Sequence, residues 1–148
     1  MGFELISAIA SIAALVVAGV EAHRQRRQKY IEDFTQYLSG LATSLRDIAA
    51  SLRDRRIPTE AGNRLKHTLD DFTSFQEKLK LSKEQRKELL TAHTKLHHAL
   101  TEAEFLDNVL RGGVINYPKK QFDETLHQME RLAAFIAHLS DTLKLTLR

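Results

Sequence analysis

Between Val20 and Leu52 only Gly40 interrupts an otherwise helix-compatible run, at roughly 1 kcal/mol relative to alanine. Within it Ile31, Phe34, Leu38, Leu41, Leu45, Ile48 and Leu52 recur at alternating spacings of three and four. That period lines one side of an α-helix and forms the seam of a helix packed at a shallow angle against neighbours. The wider composition agrees. Two prolines and six glycines in 148 residues leave little room for a turn-rich β fold, and the prevalence of Leu, Ala, Glu, Lys, Arg and Gln is that of a helical bundle. The expected class is all-α, with a length suited to one domain plus an N-terminal segment.

That N-terminal segment carries no charge from Leu5 to Val20, sixteen residues in which Ser7, Ser11 and Gly19 alone break the apolar run. As a helix it covers roughly 24 Å, short of the ~30 Å hydrocarbon core of a bilayer. Flanking residues extend it enough for a thin or locally thinned membrane. Glu4 precedes the run, and Arg24, Arg26, Arg27 and Lys29 follow it, the reverse of a secretory signal. Ile6 stands where a myristoylation pattern needs Ser or Thr. The positive-inside rule keeps the basic knot, a lipid-headgroup candidate, in the cytoplasm. The expectation is a single-pass anchor over residues 1–23 in the inner or plasma membrane, N-terminus out, with residues 24–148 in the cytosol.

The anchor has two unlike sides. Glu4, Ser7, Ser11, Ala14 and Ala18 fall on one, and Leu5, Ile9, Ile12, Val16 and Val20 on another. Small residues let membrane helices approach closely, so the first stripe predicts a homo-oligomer or, in a ring, a polar lining with Glu4 at its mouth. Nothing before Leu52 stops the helix, so anchor and first cytosolic helix are expected to be one rod of about 75–80 Å.

Ile57 before Pro58 predicts the end of that rod within "RDRRIPTEAG". Thr59 is the expected N-cap of a second helix bearing Leu65, Leu69, Phe72, Phe75 and Leu79. "SKEQ" at Ser82–Gln85 is a capping box opening a third helix with Leu89, Leu96, Leu100, Ala103, Leu106 and Leu110, stopped by Gly112-Gly113. Pro118 suits the first turn of a fourth, bearing Phe122, Leu126, Met129, Leu132, Ala133, Ile136, Leu139 and Leu143. Short connections make neighbours antiparallel, which predicts an up-down-up-down four-helix bundle on a transmembrane helix.

Chemistry is sparse. The absence of cysteine removes disulfides, thiol nucleophiles and thiolate metal sites. A formal charge of +3 does not by itself argue for nucleic acid. Clusters at Arg53, Arg55 and Arg56, and at Lys78, Lys80, Lys83, Arg86 and Lys87, read first as solvated helix ends and second as docking surfaces for an acidic partner or nucleic acid. His93 and His97 lie four apart, and Glu124–His127 supplies one Glu-x-x-His. A di-iron bundle needs two such motifs and two further glutamates, so no metal or cofactor is expected. "HQMERLAAF" from His127 lacks the proline that follows the phosphoacceptor histidine of sensor kinases.

"RKELLTAH" (Arg86 to His93) and "RLAAFIAH" (Arg131 to His138) fit the Arg–His spacing of the HEPN helical ribonucleases. Two such pairs are about what chance delivers for twelve arginines and seven histidines. In that family the pair meets across a dimer and promotes attack by an RNA 2′-hydroxyl. The resemblance implies Arg86 and His93 as its catalytic candidates. In outline, a short anchor continued into a small helical bundle resembles the accessory membrane proteins of type VI-B CRISPR loci and other membrane effectors of prokaryotic antiviral defence. Those assemble into rings that compromise the membrane, and the resemblance implies a cytosolic defence protein or nucleic acid as partner. The reading that follows is a non-enzymatic, oligomeric membrane protein that forms or gates a lesion. A membrane-tethered ribonuclease and a non-catalytic adaptor are the alternatives.

Overall fold

The computed structural model describes residues 2–147, with side chains from residue 8 onward other than that of Phe75. Among them are five helices and no strand: α1 (Gly2–Arg53), α2 (Thr59–Leu69), α3 (Phe72–Glu77), α4 (Lys83–Leu110) and α5 (Lys119–Thr146). The chain is all-α. α1 is continuous over 52 residues, about 78 Å, as the lack of a breaker before Leu52 predicts. Its seven seam residues are each no more than 1% exposed. Thr35, Ala42, Ser44 and Ala49 join them in the core. Around α1 the bundle is completed by Leu65, Leu69 and Phe72, by Leu89 and Leu96 of α4, and by Leu126, Met129, Ala133 and Ile136 of α5.

Side-chain contacts fix how the helices run. Asp47 of α1 faces Arg64 at the middle of α2 at 3.8 Å, while Tyr37, nearly three turns earlier, donates its hydroxyl to the Thr68 carbonyl near the α2 end. Ser140 donates to the Thr35 carbonyl at 2.7 Å, and Arg53 pairs with Glu130, so α5 descends as α1 rises. Gln85 at the start of α4 meets Thr146 at the end of α5 at 3.3 Å. Consecutive long helices are antiparallel, and α1 and α5 close the bundle.

Where one second helix was expected, there are two. α2 ends at Leu69 and α3 begins at Phe72. Asp70 and Asp71 are poor helix formers, and the Tyr37 hydroxyl occupies the Thr68 oxygen from outside. The Asp71 amide turns back onto that oxygen at 3.2 Å, one residue short of an α-helical bond. A side chain inserted into the ladder breaks it. The cap positions shift too. Pro58, not Thr59, is the N-cap of α2, and Pro118 is the N-cap of α5 rather than its first residue; neither side chain caps. The capping box is formed: Ser82 Oγ accepts from the Gln85 amide at 3.1 Å, and the Ser82 amide donates to Gln85 Oε1 at 2.9 Å.

α4 stops as the double glycine predicts. Gly113 N–H bonds Asn108 O at 2.9 Å and Gly112 N–H bonds Val109 O at 3.1 Å, with Gly112 at φ 84°. This is a Schellman stop, which needs a left-handed residue best supplied by glycine. α1 ends by the same device at Arg53, the first residue of the turn in which its end is expected. Arg56 N–H bonds Ser51 O at 2.7 Å, and Arg55 takes the left-handed position at φ 57°.

Among the described residues no helix is long and apolar enough to cross a membrane. The transmembrane helix expected over residues 1–23 is therefore unsupported. In the sequence the uncharged run from Leu5 to Val20 amounts to roughly 24 Å of helix, short of the ~30 Å hydrocarbon core, and Glu21, Arg24 and Arg26 follow at once.

Candidate functional site

The α1 seam begins at Ile31, and the described side chains of α1 up to Val20 do not join the bundle core. Every described side chain from Ala8 to Val20 is exposed. Ile9, Ile12, Leu15, Val16, Val17 and Val20 are 58–72% exposed. Fully burying such a side chain contributes about 1.5–3 kcal/mol, so six of them leave on the order of 5–10 kcal/mol of apolar driving force without an intramolecular outlet. A helix that is apolar all round and uncovered marks an interaction surface rather than a spacer.

Ser11, Ala14 and Ala18 of the small-residue stripe share one side of this stalk by helical geometry, opposite Ile9, Ile12, Val16 and Val20. A β-carbon added at Gly19 meets nothing within 4 Å, so the stalk's neighbourhood there is open. The other two stripe residues, Glu4 and Ser7, have side chains outside the described residues. Arg24, Arg26, Arg27 and Lys29 are exposed directly below the apolar stretch. Arg26 and Arg27 turn toward the loop after α3 and share a groove with His23, Lys78 and Lys80. Arg24 and Lys29 do not line it. Sequence reasoning put Lys78 and Lys80 in a separate cluster, because nothing local says which helix a loop lands beside.

Arg86 and His93 are two turns apart on one face of α4, about 10.5 Å along the axis. Arg86 is exposed. The His93 ring lies 4.7 Å from that of Phe72 and 4.6 Å from that of His97, with the two Nε2 atoms 3.2 Å apart. Burial first, and the neighbouring His97 second, hold the His93 imidazole below the ordinary histidine range. These are the contacts of a half-buried packing histidine. Arg131 and His138 are both exposed on α5. Among the described residues no three His, Asp or Glu side chains converge as a metal ion would require; His127 of the single Glu-x-x-His faces Glu130 at 3.6 Å.

A groove of about 420 Å³ between α4 and α5 is lined by Lys95, His98, Glu102, Arg131, Leu132 and Phe135 among others. Within it His98 meets Glu102 at 2.9 Å, and Lys95 lies 6.0 Å above the Phe135 ring. It is a shallow furrow between two helices. No known family, curated protein or solved structure matches the chain. The stalk and the basic ring at its foot are the features that the bundle's own packing does not use.

Proposed function

We propose that the protein is a non-enzymatic membrane effector. The exposed stalk of α1 enters a bilayer, copies associate through the Glu4, Ser7, Ser11, Ala14 and Ala18 stripe, and the assembled stalks form or gate a lesion. The bundle of residues 24–148 remains on the cytosolic side with the basic knot. The observation that carries this reading is the all-round exposure of Ile9 to Val20 on a helix continuous with the bundle core. The shortness of the apolar stretch favours a lesion over a passive anchor. A helix shorter than the hydrocarbon thickness is accommodated by thinning the bilayer or by oligomerising. Continuity matters for gating. One helix bears both the stalk and the bundle seam, so a tilt of the bundle is delivered to the stalk with no hinge between them. The resemblance in outline to antiviral membrane effectors supports the same choice.

The test is the mass of the full-length chain in detergent together with dye release from liposomes. Ser11→Leu and Ala14→Leu, which put bulk on the small-residue face, are expected to lower both the oligomer mass and the release. His93→Ala is expected to change neither. A monomer in detergent with no dye release would sink the proposal, and RNA cleavage abolished by His93→Ala would establish the ribonuclease in its place.

A further inference from the structure

We infer that the junction of stalk and bundle is a binding groove for the phosphate of an anionic phospholipid. This deepens the membrane reading and rests on it. His23, Arg26 and Arg27 come from one side of α1, and Lys78 and Lys80 from the loop after α3. Together they line a groove of about 340 Å³ whose apolar wall is Ile31, Leu79 and Leu147. Those three are buried, so the lysines that bracket Leu79 are held at the groove by its anchoring. Lys78 Nζ also lies 5.9 Å over the Tyr30 ring.

Charge balance says what belongs there. Among the described residues, none of Arg26, Arg27, Lys78 and Lys80 takes part in an ion pair. Four permanent cations in one groove repel one another, and an anion relieves that repulsion. Adjacent guanidinium forks with ammonium groups opposite suit the oxygens of a phosphate, which Arg binds through paired N–H donors and Lys as a point charge.

Position selects the source of the phosphate. The groove opens just below Val20, the last apolar residue of the stalk. Arg26 and Arg27 lie about 9–10 Å farther along the helix axis. Headgroups add roughly 5–7 Å to each side of the hydrocarbon core, so a stalk buried to Val20 sets the backbone at the groove about 3 Å beyond the headgroup layer, a gap that long arginine and lysine side chains span by reaching back to the phosphates. A lipid there is fixed by phosphate contacts while its chains lie along Ile12, Val16 and Val20. A soluble phosphate would have only the first half of that attachment.

The experiment measures partition of the full chain onto vesicles of phosphatidylcholine alone and of phosphatidylcholine mixed with phosphatidylglycerol. Wild type is expected to prefer the mixed vesicles. Lys78→Gln/Lys80→Gln should lower partition onto them about 30-fold at low salt, taking ~1 kcal/mol per basic residue near the surface, and leave binding to phosphatidylcholine unchanged. Lys119→Gln/Lys120→Gln removes equal charge from exposed positions at the start of α5, the opposite end of the bundle, and should leave the preference intact. Equal loss from both double variants, or no wild-type preference for phosphatidylglycerol, overturns the groove. A wild-type chain that binds neither vesicle overturns membrane insertion itself, so the two failures are told apart.

Discussion

Tyr37 is half-buried on α1, with its hydroxyl spent on a carbonyl of another helix. Burial, then the charges of Asp71 and Asp70, push its phenol well above the ordinary tyrosine range. The sign follows: the neutral form is favoured in the fold, so its contribution is intact below ~10 and declines as pH rises beyond it. Tyr37→Phe should lower unfolding free energy by about 1 kcal/mol and flatten the alkaline loss of stability, both read from urea titrations. His93 works in the opposite direction. Its folded-state affinity for a proton is lowered, so the unfolded chain takes the proton first and stability falls as pH drops below ~6.5. His93→Gln should remove that part of the acid sensitivity. An acid profile identical to wild type would show that the ring contacts do not govern it.

At the scale of elements, the boundaries follow local rules wherever the cap is local. Ser82 with Gln85, and Gly112 with Gly113, are legible in the chain because the groups that satisfy each other lie within a few residues. Ser82→Ala should therefore cost about 1 kcal/mol, measured as a shift in the urea midpoint at unchanged slope. The α2–α3 break is of another kind. Leu65, Leu69 and Phe72 keep helical spacing across it, so periodicity predicts one helix. The group that interrupts the ladder arrives from Tyr37, 31 residues earlier. The end of α1 shows the same limit in milder form: Arg55 in the left-handed region is a position that residue type would not nominate.

The whole molecule divides into a part that packs and a part that does not. Among the described residues every buried hydrophobic lies at Ile31 or beyond. Removing residues 1–23 should leave the unfolding free energy in water within ~0.5 kcal/mol of the full chain, while the oligomer proposed for the full chain in detergent should fall to the bundle's own mass. A large loss of stability on truncation would mean that the stalk folds back on the core.

Helix content, the apolar seams and the basic knot were all readable along the chain, because helical periodicity and capping act over three to six residues. The stalk's lack of an intramolecular cover, the broken second helix and the union of Arg26 and Arg27 with Lys78 and Lys80 were decided only in three dimensions. Each depends on which segments meet across tens of residues, and that is set by how the amphipathic helices bury their seams together. The same closure that hides Ile31 to Leu52 leaves Ile9 to Val20 outside.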